Sequence, residues 1–261
     1  MKLMNGLWCV GLGLILVMSL INQVQADEVA DKKVKVSDAI KKALAHENRP
    51  AGDKARDKTR KPGQVLAIAG IQEGQVVADL MTGGGYYAEL ISRVVGKKGK
   101  VYAQNNKIAL GRFADKAMKR RLEGRDLHNV IRYDKELEDL NLPEGKVDAV
   151  FMVLFYHDTY WMKVDRKKMN EQIMKALKPG GVFIMIDHHA AKGTKARDVK
   201  SLHRVDAEMV KGELLKAGFK LVGEYDLLRN KKDDHTINVF SSKIRGRTDR
   251  FFMKFVKPKK K

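Results

Sequence analysis

Apolar positions along the chain change period several times, and the changes outline its elements. Val36, Ala39, Ile40, Ala43 and Leu44 fall at helical spacing behind Ser37 and Asp38, which predicts a short amphipathic helix. Gln64 to Ile71 predicts another helix and Val76 to Leu80 a buried strand. Strands and helices then alternate. Lys100 to Gln104, Asn129 to Tyr133, Val147 to Leu154 and Val182 to Ile186 read as strands, and Tyr86 to Val95, Ile108 to Leu122, Val164 to Leu177 and His203 to Ala217 as helices. Continuous apolar strands separated by helices indicate a parallel sheet covered on both faces. After Gly218 the pattern shifts. Phe219 to Leu227 and Thr236 to Ser242 predict two strands joined by the polar turn Asn230 to Asp234, a link so short that the pair must be antiparallel. The expectation is an α/β fold with a mostly parallel seven-stranded sheet, a terminal antiparallel pair and helices on both faces. It would span residues 63–243, preceded by a helix and a polar segment over 27–62 and followed by a basic tail over 244–261.

The start of the chain has a different character. Lys2 precedes an apolar run from Leu7 to Ile21, shorter than the roughly 20 residues of a membrane span, and Val24-Gln25-Ala26 offers the small residues of a cleavage site. Residues 1–26 read as a secretory signal peptide cut after Ala26, which places the mature protein in the periplasm or outside the cell. The single cysteine, Cys9, lies inside that run, so the mature chain has no disulfide, zinc–cysteine site or cysteine nucleophile. The formal charge of +20 is concentrated at Lys54 to Lys61, Lys116 to Arg125 and Lys254 to Lys261. Such a surface attracts anions and gives weak contact with anionic membrane surfaces. No recognisable nucleic-acid motif accompanies it, so no specific nucleic-acid partner is expected.

The candidate chemistry begins where the first strand ends. Asp79-Leu80-Met81-Thr82-Gly83-Gly84-Gly85-Tyr86 runs from a buried strand through three glycines into a helix. Such a turn needs residues without a Cβ, and the amides freed at the helix start face a ligand. Taken alone it is a tight turn or a nucleotide site. Further pieces are Val101-Tyr102-Ala103, Asp148-Ala149-Val150 and Leu177-Lys178-Pro179-Gly180-Gly181. Together they resemble the class I S-adenosylmethionine-dependent methyltransferases from about Gln64 to Ser242, which implies the Rossmann-like methyltransferase sandwich and S-adenosylmethionine as cofactor. The leader and Arg49 to Pro62 resemble more narrowly a group of exported bacterial methyltransferases. The resemblance implies a cofactor site of Asp79, Thr82, Gly83, Gly84, Gly85 and Tyr86, with Asn105 and Asn106 at the ribose hydroxyls and Asp134, or alternatively Glu136, at the adenine amino group. Two positions depart from the family. Met81 replaces its first glycine, and Asn105 replaces the acid that ends the second strand.

Two polar clusters fall beyond the carboxyl ends of strands, where open α/β sheets bind ligands. After the fourth strand, His157 is a candidate base with Asp158 orienting it, and Tyr156 and Trp161 are candidates to wall the cofactor or hold its sulfonium. The same His-Asp pair would equally cap the next helix. After the fifth strand come Asp187-His188-His189, of which at most one histidine points into the site. His203-Arg204 would reach an anionic substrate or shield a helix end. Some superfamily members hold Mg²⁺ with carboxylates placed like Asp158 and Asp187, but no metal is assigned here. Arg49 to Arg60 is too polar for core and leads to the cofactor strand, so it is expected to lie across the site as a lid, with Arg49, Arg56 or Arg60 reaching in. The function expected is methyl transfer to a small-molecule or anionic acceptor. The alternatives are a catalytically silent binding domain, or an NAD-dependent oxidoreductase that uses Gly83-Gly84-Gly85-Tyr86-Tyr87-Ala88 as its dinucleotide turn.

Overall fold

The structure, a computed structural model, describes residues 34–259, so the leader expected over 1–26 lies outside the described residues. Ser37 caps α1 (Asp38–Ala45) through its side chain. After Pro50 the polar segment forms α2 (Ala51–Arg60), and Lys61 in the left-handed conformation turns the chain into α3 (Pro62–Ala69). Then follow β1 (Val76–Leu80), α4 (Tyr86–Val95) and β2 (Lys100–Asn105). The helix expected over Ile108 to Leu122 is α5 (Lys107–Ala109), a π-helical turn (Leu110–Ala114) and α6 (Asp115–Leu122). β3 (Val130–Asp134), β4 (Val147–Val153), α7 (Tyr156–Trp161), α8 (Arg166–Ala176) and β5 (Leu177–His188) complete the parallel part. α9 (Ala207–Lys216), β6 (Lys220–Glu224) and β7 (Arg250–Val256) end the described fold.

One sheet of seven strands runs in the order β3-β2-β1-β4-β5-β7-β6, with β1 to β5 parallel and β7 antiparallel to both of its neighbours. Alternate side chains of each strand enter opposite cores. Ala78, Val150, Met152, Phe183 and Met185 meet α8 and α9, whereas Val77, Val101, Phe151, Ile184 and Ile186 meet α1, α3 and α4.

The antiparallel pair is present, but its second strand is not Thr236 to Ser242. That stretch is loop, with Phe240 exposed, and the strand is Arg250–Val256, inside the segment assigned to the basic tail. Phe251, Phe252, Met253 and Phe255 are buried between β5 and β6, a hydrophobic content that Thr236 to Ser242 does not match. The sheet therefore extends beyond residue 243, and a long excursion separates β6 from β7. That excursion returns over the carboxyl ends of β4 and β5, where it helps to enclose the site.

Candidate active site

The glycine turn is built by hydrogen bonds from β2. Gln104 accepts from the Met81 amide through its side chain and from the Thr82 amide through its carbonyl, both at 2.9 Å. Asn105 accepts from the Gly83 amide at 2.9 Å and donates to the Gly83 carbonyl at 3.0 Å. Both polar ends of its amide are therefore committed to the turn, which corrects the expectation that Asn105 faces ribose hydroxyls. Asn106 is likewise committed, capping α5 by accepting from the Ala109 amide at 2.9 Å. Asp134, the partner of Asn105 in the β2–β3 register, stands exposed at the end of β3 and is bonded to Arg132 at 2.7 Å.

Gly83 and Gly85 have φ of 58° and 79°, where a side chain is strained. A Cβ on Gly84 would stand 3.1 Å from that of Ala117, and one on Gly85 2.7 Å from Arg121 Cδ. Asp79 closes the floor of the turn, buried and accepting from the Thr82 hydroxyl. Burial raises its pKa to about 7, outweighing the Thr82 bond and the nearby Arg60 and Arg121 guanidiniums. A ligand ammonium would restore the charge that burial suppresses, so the turn suits the amino-acid end of S-adenosylmethionine.

α2 lies against this turn, as expected of the lid segment, but it is a docked helix. Arg49, itself buried, makes two bonds to Asp57 at 2.7 and 2.8 Å, and the Tyr86 hydroxyl donates to Asp57 at 2.6 Å. The Arg56 and Arg60 guanidiniums lie over the Tyr86 ring at 4.9 and 4.8 Å. Asp53 pairs with Arg56 and, at 2.8 Å, with Arg121, which also bonds the Gly84 carbonyl and Glu89. Tyr86 thus anchors α2 instead of offering its side chain to a cofactor, and Arg49 is spent on Asp57.

At the carboxyl ends of β4 and β5 a cavity of about 470 Å³ is enclosed by Arg56, Arg60, Leu154, His157, His188 and Arg250, with Phe240 and Arg245 from the excursion completing it. A cavity of about 860 Å³ opens between α1, the end of α4 and the start of β2, but it sits at the amino ends of the strands, away from the glycine turn. In the smaller cavity Arg250 is 4% exposed and, among the described residues, donates only to Thr59 O at 3.2 Å and Thr248 Oγ1 at 3.1 Å. Among the described residues no carboxylate pairs with Arg250 or Arg60. Burial, together with the neighbouring Arg60 charge, lowers the Arg250 pKa to about 10, and burial lowers that of Arg60. Two guanidiniums, Arg250 buried and Arg60 half-buried, with no counter-ion among the described residues form a site for an anion.

Beside them lies a histidine–carboxylate cluster. His157 Nδ1 is 2.8 Å from Asp187 Oδ1, and the His157 amide donates to Asp187 Oδ2 at 2.7 Å. His157 Nε2 is 3.2 Å from Asp158 Oδ1 and 3.3 Å from His203 Nδ1. Burial alone would lower the His157 pKa, but Asp187 and Asp158 outweigh it and raise it to about 10. As arranged here His157 carries a proton at neutral pH, which is the wrong state for the general base it was expected to be. Asp187 is wholly buried and occupied by His157 and the His188 amide, so it does not share a metal with Asp158 as the Mg²⁺ arrangement would require. Tyr156 is another correction. It is fully buried and donates to Glu213 at 2.8 Å, which places it in the core between α7, α8 and α9. His188 enters the cavity wall, while His189 stacks on His235 elsewhere. Arg204 is a buried pin on Asp233, not a substrate contact.

Residues 78–185 match the methyltransferase domain family, from the strand that carries Asp79 through most of β5. Over those residues the chain carries a methyltransferase domain, on the fold of the S-adenosylmethionine-dependent methyltransferases. Its fold is shared with an S-adenosylmethionine-dependent methyltransferase from Aquifex aeolicus, at 23% identity and a TM-score of 0.57 over 80% of this chain and 99% of that one. An arsenic(III) S-adenosylmethionine methyltransferase from Chlamydomonas reinhardtii aligns at 18% identity and a TM-score of 0.53 over 85% and 73% of the two chains. Haemonchus contortus phosphoethanolamine N-methyltransferase 2, solved with S-adenosylmethionine, aligns at 16% and 0.56 over 86% of this chain and 61% of that one.

Proposed function

We propose that this methyltransferase acts, after export, on a small acceptor that is already an anion, held by Arg60 and Arg250. The observation that carries this reading is a pair of guanidiniums, Arg250 buried and Arg60 half-buried, with no carboxylate partner among the described residues, facing one cavity at the carboxyl ends of the strands. Asp79 would hold the cofactor's ammonium, and the Thr82 to Gly85 turn would pass beneath its amino-acid end. When bound, S-adenosylmethionine supplies a methyl group on a sulfonium, which is open to attack by a nucleophile. Arg60 and Arg250 would orient an ionised acceptor by its charge, and a deprotonated oxygen needs no general base. That agrees with a His157 already holding its proton. α2 and Phe240 restrict water access to the cavity, which strengthens both charge contacts.

The test is a binding experiment with two variants. Isothermal titration of the protein from 27 onward with S-adenosylhomocysteine and NAD identifies the cofactor. A thermal-shift screen of small carboxylates and phosphates, with S-adenosylhomocysteine present, then reports the acceptor class. Arg250→Gln and Arg60→Gln should keep S-adenosylhomocysteine binding and lose stabilisation by anions. Anion responses unchanged in both variants would refute the acceptor site. Binding of NAD alone would favour the oxidoreductase, and binding of neither cofactor the silent domain. Export has its own check: mass spectrometry of the protein from its native host should show Asp27 as the first residue.

A further inference from the structure

We propose that His157 Nε2, Asp158 Oδ1 and His203 Nδ1 form a binding site for a divalent first-row transition ion. The three atoms converge from two separate parts of the chain. His157 and Asp158 open α7 immediately after β4, and His203 arrives from the stretch between β5 and α9, in the left-handed conformation at φ 54°. Their mutual separations are 3.2 Å for His157 to Asp158, 3.3 Å for His157 to His203 and 3.1 Å for His203 to Asp158.

Those separations fit the coordination of an ion. With metal–ligand bonds of about 2.0–2.1 Å, the ligand-to-ligand edge is about 3.3 Å in a tetrahedron and about 2.9 Å in an octahedron. The triangle lies between the two, so an ion could contact all three atoms without moving the backbone, sitting about 0.9 Å from their plane. Such a face leaves the remaining coordination positions for water or another ligand.

The surrounding groups also match a metal centre. Asp187 holds His157 Nδ1 at 2.8 Å and leaves Nε2 to point at the triangle, the usual arrangement in which a carboxylate fixes the tautomer and ring plane of a metal-bound histidine. Trp161 Nε1 donates to Asp158 Oδ1 at 2.6 Å and orients that carboxylate. His157 is buried and His203 is partly covered by the Phe240 ring at 4.8 Å, so the site is shielded on most sides while His157 and Asp158 reach the arginine cavity. Two imidazoles and one carboxylate favour Zn²⁺, Co²⁺ or Fe²⁺ over Mg²⁺, which prefers oxygen ligands. Binding the ion displaces the proton that His157 carries without it.

This site does not depend on the acceptor reading, and its test uses metal alone. The protein from 27 onward is treated with chelator, desalted and titrated with Co²⁺ while visible absorption is recorded. One equivalent should produce d–d bands, Zn²⁺ should abolish them, and millimolar Mg²⁺ should not. His203→Ala removes one ligand at a partly exposed position and should weaken Co²⁺ binding at least 100-fold with the circular dichroism spectrum unchanged. Asp187→Asn should weaken it by about 10–100-fold without removing a ligand. No d–d bands at one equivalent, or equally tight binding in His203→Ala, would overturn the proposal. Adventitious binding at the exposed pair His128–Asp126 or the partly buried pair His235–Asp249 would survive in that variant and counts against it.

Discussion

The state of Asp79 makes cofactor binding depend on pH in a calculable way. Its carboxyl is buried, and burial raises its pKa to about 7 in the ligand-free protein. A raised carboxyl pKa means the neutral form is favoured, so an ammonium ligand must bring about ionisation before it can form the ion pair. Below about pH 7 that ionisation costs about tenfold in affinity per pH unit, and above it the cost vanishes. Between pH 8 and pH 6 the ionised fraction falls about tenfold, whereas between pH 8 and pH 7 it falls only about twofold. The charged neighbours are the Arg60 and Arg121 guanidiniums. The nearby histidines do not titrate in this range. His157 is raised to about 10, and His188 is held far below its usual value by burial and by the His157 charge. Isothermal titration with S-adenosylhomocysteine from pH 6 to pH 8 should therefore show affinity rising about tenfold and levelling above pH 7, with proton release below it. Asp79→Asn should bind more weakly and lose the slope. A flat wild-type profile, or an undiminished slope in Asp79→Asn, would refute the assignment of Asp79 to the ammonium.

Other perturbations read the scaffold. Asp57→Ala leaves Arg49 buried without its partner at a cost of about 3 kcal/mol. Trypsin should then cut at Lys54 to Lys61 about 100-fold faster if cleavage follows the opened population, and unchanged cutting would mean that α2 is held by other contacts. Gly85→Ala places a Cβ against Arg121 in a backbone at φ 79°, costing about 1–2 kcal/mol. Thermal denaturation should show a loss of roughly 2–8 °C. A chain ended at residue 243 lacks β7, leaving β5 and β6 unpaired on that side, and should show no cooperative unfolding transition. Cooperative melting of that fragment would mean that the sheet closes without β7.

Much of the fold was legible because parallel strands covered on both faces are mostly apolar, and five such runs, interrupted by polar residues such as Asp79, Gln104 and Arg132, follow one another from Val76 to Ile186. The glycine turn was legible because only a Cβ-free chain can make it. β7 was not, because Phe251 to Val256 is set among Arg245, Arg247, Arg250, Lys254 and Lys257, and charge density hid a strand buried in the sheet. The expected strand Thr236 to Ser242 had β-prone residues but no partner to pair with once β7 filled the gap. The site was harder still. Arg250 opens the hidden strand, and His203 meets His157 only through the tertiary fold, 46 residues away. Tyr86 and Tyr156 stood at the right places in the sequence for ligand contact. Their hydroxyls are instead taken by Asp57 and Glu213, partners that no local pattern identifies.

The two departures from the family's pattern have different physical weight. Met81 stands where the family has a glycine, yet it keeps the left-handed conformation at φ 50°, fixed by the 2.9 Å bond from its amide to Gln104. Leu154 at the end of β4 and His203 before α9 are left-handed as well, at φ 60° and 54°. Each such residue costs about 1–2 kcal/mol relative to glycine. That strain persists only where the surroundings over-determine the backbone, and here all three residues stand at the candidate site. Replacing glycine by Met81 therefore leaves the path of the chain intact and places the cost on the fold. Asn105 is the opposite case. Its backbone is ordinary strand, but its side chain is a neutral amide locked to both polar atoms of Gly83, where the family has an acid. The turn keeps its shape because Asn105 braces it from the side. The register partner of Asn105 on β3 is Asp134, a carboxylate at that same edge of the sheet, where it pairs with Arg132.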